Sequence, residues 1–334
     1  MKIDSSKLIF VVGCPRSGTT KLTDIINRHS SIVSSSETHF FNINWDLAFN
    51  KDLEDFISSD KFSNFLEHFR IQDFLKLNKL SQEVFIEEFK KNYSDNQALS
   101  NLSSKDIYLK SLFDVIVSLS LQNDQYGASI FCEKTPQHIR SVDKILYYYP
   151  EAKFIHVIRD GRDVVNSLLK MPWRPDGLIN NARFWKKFVK FGFAMQNHLE
   201  QNGKQNQWFN LRYEELLESP EEVLHLMCDF LGLEYEAAML ENDEILDSKV
   251  YADWESKWKH KVNLDLDMAR IGAYKKEMPE DDQITLNWFI QKELEELSYE
   301  VDMKNLSYKH LNFAVKSYIE LASHKLLRFL SDLV

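Results

Sequence analysis

One join in the chain constrains the fold more than anything else. Residues 7–13 (KLIFVVG) form an apolar run without polar alternation, and 19–29 follow at once with Leu22, Ile25 and Ile26 at helical spacing. A run of the first kind suits a strand buried on both faces. The helix that starts straight after it must cover one of those faces. The same order returns downstream. Strand signals lie at 129–133, 153–158 and 208–213, with a shorter one at Ile32–Val33. Helical patterns lie at 138–149 (stopped by Pro150), 161–170, 178–200, 220–231, 283–297 and 308–331. Between Phe40 and Gly127 the spacing is helical and rich in phenylalanine, as in Phe62, Phe65, Leu66 and Phe69. The expected fold class is therefore α/β: a parallel sheet flanked by helices, with a helical insertion at about 40–128 and a C-terminal helical extension at about 283–334. No linker or repeat breaks the chain, so residues 1–334 are expected to form one domain.

Glycine points to where the chemistry lies. There are 9 glycines in 334 residues, against roughly 23 at an average usage of ~7%. A chain this sparing should place glycine where the backbone requires it. Gly13 and Gly18 fall in the first join, Gly13-Cys14-Pro15-Arg16-Ser17-Gly18-Thr19-Thr20. The glycine spacing is that of a G-x4-G-K-[ST] phosphate loop, but Thr19 stands where the lysine belongs. A tight turn there lets several N–H groups converge on an anion at a helix N-terminus. Ser17, Thr19 and Thr20 can add hydroxyl donors, and Arg16 brings a forked cation. The missing lysine argues against an ordinary ATPase or kinase. The plainer reading, a βα turn with Ser and Thr caps, leaves two glycines, an arginine and three hydroxyls in eight residues unexplained.

Residues 153–167 (KFIHVIRDGRDVVNS) repeat the geometry. Arg159 stands at the carboxyl end of its strand, where open α/β sheets bind ligands. Ser167 lies eight residues on, about two helical turns, and can face the same pocket. Arg162 and Asp163 are expected to form a local ion pair, and His156 to sit in the core. Two separated anion sites on one sheet suit a nucleotide phosphorylated at both ends of its ribose.

The two stretches, in this order and each after a strand, resemble the sulfotransferase family, whose enzymes use 3′-phosphoadenosine 5′-phosphosulfate (PAPS). The likeness spans about residues 7–280 and implies a P-loop-type sulfotransferase fold. Residues 15–20 resemble the family's 5′-phosphosulfate loop, and Arg159 to Asp163 with Ser167 resemble its 3′-phosphate motif. The flavour is closer to the tyrosylprotein and bacterial enzymes than to the cytosolic phenol and steroid enzymes, which carry lysine where this chain has Arg16. In that likeness Glu37, 21 residues past Arg16, matches the catalytic base. Lys134, in Glu133-Lys134-Thr135-Pro136, matches the lysine aimed at the leaving phosphate. Tyr213 resembles a cofactor-contacting tyrosine. The stretch 270–276 (RIGAYKK) resembles the loop that closes over the cofactor, with Ala273 where relatives often have a basic residue and Arg270 or Lys275 as the substitute.

Sulfuryl transfer should run as a loose in-line displacement governed by position and charge. Glu37 is the candidate to take the acceptor's proton, with His39 second and His138 third. Lys134, Arg16 and the loop amides would stabilise the charge growing on adenosine 3′,5′-bisphosphate. Protein cations then neutralise the leaving group, and no metal site is expected. The plainer roles are a capping or solvated Glu37 and a surface Lys134 paired with Glu133.

The charge balance, 41 Lys+Arg against 51 Asp+Glu, gives a net charge of −10. It argues against nucleic acid as a partner and, more mildly, against a polyanionic acceptor. A small-molecule natural product, a glycan or sugar, or a lipid head group is the favoured acceptor, with peptide tyrosine as the alternative. Trp173, Trp185 and the insertion's phenylalanines are candidates to line its site, although core packing is the commoner fate of such residues. Three scattered cysteines and no long apolar run suggest reduced thiols, no transmembrane segment and a cytoplasmic location. The stretch 304–334 carries five basic and two acidic residues, with Leu311, Val315, Tyr318, Ala322, Leu326 and Leu330 at helical spacing. That stripe suits packing on the domain or a homodimer seam. Two rival functions stay open: an ATP-dependent phosphotransferase, and a non-catalytic module that binds adenosine 3′,5′-bisphosphate.

Overall fold

The computed structural model describes residues 3–45, 47, 52–98, 102–174, 177–241, 267–303, 306–313 and 315. Five strands, β1 (Leu8–Gly13), β2 (Ile32–Ser34), β3 (Ile130–Lys134), β4 (Lys153–Ile158) and β5 (Trp208–Arg212), form one sheet in the order β2-β3-β1-β4-β5. Every neighbouring pair is parallel. The connections step to one side of β1 for β2 and β3 and to the other side for β4 and β5. The carboxyl end of β1 is thus the switch point, where a crevice opens between diverging connections.

β1 is buried at all six positions, and its residues alternate between two cores. Leu8, Phe10 and Val12 face a large aromatic core. Ile9 and Val11 face a smaller aliphatic one, with Leu22, Ile25, Leu224 and Met227 from the covering helices Thr19–Ile26 and Pro220–Leu231. The helices Leu53–Ile57, Asp60–Glu67, Phe69–Leu77, Gln82–Asn96 and Ser104–Gln122 all lie between β2 and β3 in sequence, where the insertion was expected. They share the sheet's aromatic core: Phe10 stacks on Phe113 at 6.0 Å, and Phe56, Phe62, Phe65, Phe74, Phe85 and Phe89 are all buried. Trp185 is also core, only 1% exposed, whereas Trp173 is 45% exposed.

Boundaries shift by a few residues from expectation. The helix expected from 138 begins as a 3-10 turn, Pro136–Arg140, and becomes α-helical only over Val142–Tyr148. β3 runs one residue further than its apolar pattern, so Lys134 is the last residue of the strand rather than the first beyond it. Most of the C-terminal stripe, including Tyr318, Ala322, Leu326 and Leu330, lies outside the described residues, and the homodimer seam expected there lies outside them too. Among the described residues no helix is long and apolar enough to cross a membrane.

Candidate active site

The register brings three sequence candidates to one place. Val11 pairs with Lys134 across β1 and β3, and Gly13 pairs with Val157 across β1 and β4. The loop after β1, the end of β3 and Arg159 after β4 therefore sit side by side at the carboxyl edge of the sheet.

The loop after β1 is shaped by its glycines. Gly18, at φ 97°, begins the helix Thr19–Ile26. A Cβ there would lie 2.2 Å from Cδ2 of Tyr213, so the Tyr213 ring closes on the turn only because the residue is glycine. A Cβ on Gly13 would lie 2.6 Å from the Val157 carbonyl oxygen. Arg16, which is not glycine, also takes a positive φ of 75°. A run of main-chain N–H groups in such conformations, ahead of a helix N-terminus, forms a concavity suited to an anion. Ser17 and Thr19 are buried in it.

Positive charge gathers on the same side. Arg16 donates from Nε to Oγ of Ser167, 3.0 Å away, which ties the first motif to the second. Arg159 donates from Nη1 to the Arg16 carbonyl and from Nη2 to the Arg270 carbonyl, at 3.3 and 2.8 Å, and lies 4.6 Å from the centre of the Tyr213 ring. Its Nε is buried with no hydrogen-bond partner. Burial, with the charges of Arg159 and Arg270, pushes the Arg16 guanidinium below its ordinary value. Such a cluster is costly until an anion joins it. Arg270 reaches the site through its carbonyl, while its side chain pairs with Asp267 at 3.3 Å.

The expected Arg162–Asp163 ion pair is not what forms. Arg162 forks onto Asp160, at 2.6 Å for Nη2 to Oδ2, and spends its remaining donors on Asn287 and the Glu300 carbonyl. Asp163 accepts instead from the main-chain N–H groups of Gly272 and Tyr274, at 2.8 and 3.0 Å. Asp160 is the N-terminal cap of its own helix and already faces Arg162, while Asp163, with Oδ2 3.9 Å from Nη2 of Arg159, holds the 267–274 loop against the second motif.

Across the crevice stand the candidates for proton transfer. Lys134 is fully buried and donates to Oε1 of Glu37 at 2.7 Å. Oε2 of Glu37 lies 3.3 Å from Nε2 of His39, whose backbone has a positive φ of 52°. Glu37 is neither a cap nor a freely solvated residue. Lys134 does not pair with Glu133, which points to the opposite side of β3 and binds Nδ1 of His138 at 2.7 Å. His138 is fully buried, and its Nε2 accepts from the Phe41 N–H, so both ring nitrogens are engaged away from the crevice. His156 is packed under Gly192 and bonded to Asn210, and burial lowers it to about 4, a neutral core imidazole as expected.

Three sets of contacts at the site were not read from the sequence. Arg70, from the insertion, donates to the Glu37 carbonyl at 3.1 Å. Asp163 anchors a loop more than a hundred residues away. Glu133 collects four donors from the segments on either side of the crevice. Glu133 is visible in the sequence beside Lys134 in β3 and Asp163 within the second motif, but spacing did not give their partners. Among the described residues no group of three or more His, Cys, Asp or Glu stands together as a metal cluster would.

Comparison with known proteins bears on the family and the fold. A model described as the sulfotransferase family matches residues 9–237. A Caenorhabditis briggsae relative that carries a provisional protein-tyrosine sulfotransferase name is 25% identical over 247 residues, 73% of this chain and 72% of that one. Protein-tyrosine sulfotransferase A of Caenorhabditis elegans is 23% identical over 72% of this chain, which spans only 54% of its length. Among solved structures, the sulfotransferase domain from the Synechococcus PCC 7002 olefin synthase superposes with a TM-score of 0.57 at 17% identity, covering 88% of this chain and 95% of that one.

Proposed function

The chain belongs to the sulfotransferase family, and from that premise we propose that it moves a sulfuryl group from PAPS to an acceptor hydroxyl. The observation that carries the reading is the pair of anion cradles joined by the Arg16–Ser167 bond, with the Glu37–Lys134 pair facing them at the end of β3. The residues fit a nucleotide with two separated phosphates. The main-chain groups of Arg16, Ser17, Gly18, Thr19 and Thr20 take the 5′ end. Arg159, with its unpartnered Nε, takes the 3′-phosphate beside Ser167. Tyr213 and the 270–274 loop close over the site.

When bound, the donor supplies the sulfuryl group and leaves as a bisphosphate. Glu37 is positioned to accept the acceptor's proton at a carboxylate oxygen, with His39 next to it as the second candidate. Lys134, itself fully buried, and Arg16 hold fixed positive charge where negative charge develops. The buried, unpaired Cys14, Cys132 and Cys228 favour a reducing compartment, the cytoplasm.

Two acceptor classes compete. The names of the curated relatives favour the phenol of a peptide tyrosine. A small-molecule, glycan or lipid-head-group hydroxyl is the other. Incubation with PAPS and a library containing tyrosine peptides, sugars and small phenols tests both, read by a mass gain equal to one SO3 group. A phosphoryl gain with ATP, or nucleotide binding without any transfer, would replace this reading by one of its rivals.

A further inference from the structure

A carboxylate with no exposure in the middle of a sheet is expensive unless its bonds hold something in place. Glu133 is such a group, on β3 between β2 and β1. Its Oε1 accepts from the Thr38 hydroxyl at 2.8 Å, the Thr38 N–H at 3.3 Å and the Thr135 hydroxyl at 2.6 Å. Its Oε2 accepts from Nδ1–H of His138 at 2.7 Å, and the other nitrogen of that ring accepts from the Phe41 N–H at 3.3 Å. The Thr135 hydroxyl accepts in turn from the His39 N–H at 3.1 Å. Burial pushes the Glu133 carboxyl up, but His138, Thr135 and Thr38 more than offset this and hold it below its ordinary value.

Every one of these bonds ends on residues 38–41 or on the turn that carries their partners. Residue 37 immediately precedes that stretch, and the neighbour of Glu133 on β3, Lys134, reaches the side chain of residue 37 from the other side of the strand. Resting on the sulfuryl-transfer reading of the site, we propose that Glu133 is a positioning residue. Through Thr38 and Thr135 it fixes the main chain of 37–39, so that Glu37 and His39 stand in register with Lys134. Two adjacent strand residues thus divide the work: one holds the segment and the other pairs with its carboxylate. The strained φ of His39 fits this assignment, because such a conformation persists only where neighbouring bonds over-determine it.

The test uses the full chain and three variants. Thr38→Val keeps the shape and removes the hydroxyl that donates to Glu133 and accepts from the Phe40 N–H, Thr38→Ser keeps that hydroxyl, and Glu133→Gln removes the charge. Thr38→Val should lower kcat about ten- to a hundredfold, the scale of an ångström-sized misplacement, while adenosine 3′,5′-bisphosphate binds within about twofold of wild type. Amide exchange at 37–41 should speed up in Thr38→Val and in Glu133→Gln, and Thr38→Ser should recover both rate and protection. Faster exchange with unchanged kcat would overturn the assignment, as would equal losses of kcat and nucleotide affinity. If Glu133→Gln does not fold, Thr38→Val decides alone. A wild-type chain inert towards PAPS but still binding the bisphosphate would remove the transfer reading, while unaltered exchange in Thr38→Val would remove the tether itself.

Discussion

Arg16 and His39 each hold a left-handed backbone conformation that costs a side-chain-bearing residue roughly 1–2 kcal/mol. They are two of the four such residues described, and both face the crevice, as expected if strain persists where function fixes it. Lys134 makes the sharpest single-residue prediction. Lys134→Ala should lower turnover about 10²–10³-fold, the scale for loss of one charge-stabilising group, and change bisphosphate affinity far less. Equal losses would make the lysine a ground-state binding group. His156 gives a prediction free of the reaction. Its folded value of about 4 lies below its ordinary 6.5, so the unfolded chain takes the proton first. Stability should be unaffected above pH 6.5 and fall as pH drops towards 4, by up to about 1.4 kcal/mol per pH unit. Urea unfolding at pH 7 and pH 5 should show a smaller difference in His156→Gln than in wild type. At this scale the placing of Arg16, Arg159 and Ser167 near one another was legible, because each stands at a fixed step from a strand end, whereas Glu37 and Lys134 were singled out by the family resemblance and the structure sets them 2.7 Å apart. The partners of Glu133 and Arg162 were not, because side-chain direction decides between near neighbours and sequence spacing does not.

The element that does most for the site is the strand-end segment 159–163. It faces the crevice with Arg159 and grips the 267–274 loop with Asp163. Arg159→Ala should weaken adenosine 3′,5′-bisphosphate about 10–100-fold, the worth of a charge-assisted fork, and leave adenosine 5′-monophosphate nearly unchanged. Calorimetry with both ligands measures this; a common loss would remove Arg159 from the 3′ side. Asp163→Asn keeps the size and weakens the acceptor of two main-chain N–H groups. It should speed amide exchange at Gly272 and Tyr274 while leaving exchange in β1 unchanged. This loop contact was invisible in the sequence because its partners are 109 and 111 residues apart. The strands themselves were legible to within a residue or so, β1 from an unbroken run buried on both faces and the others from shorter runs rich in aliphatic and aromatic residues. Lys134 escaped that pattern because its polar end leaves the sheet only at the crevice.

Across the whole molecule, the order β2-β3-β1-β4-β5 explains why motifs far apart in sequence meet. A parallel sheet with β1 at its centre puts both strand-end loops on one edge, and the insertion closes that edge from above with Arg70. The insertion's helices could be read from their phenylalanine spacing, and most of those rings are core rather than acceptor-lining surface. Where the insertion would turn Arg70 could not be read, because no period encodes it. The chain as a whole carries a net charge of −10, yet Arg16 and Arg159 meet at the crevice after β1 and β4, with Lys134 beside Glu37 at the end of β3. Side-by-side titration of the wild-type chain with adenosine 3′,5′-bisphosphate, adenosine 5′-monophosphate and ATP tests that crevice most directly. Binding of the bisphosphate at least about a hundredfold tighter than either of the others is the predicted result. Equal affinity for the two adenosine phosphates, or a preference for ATP, would contradict it.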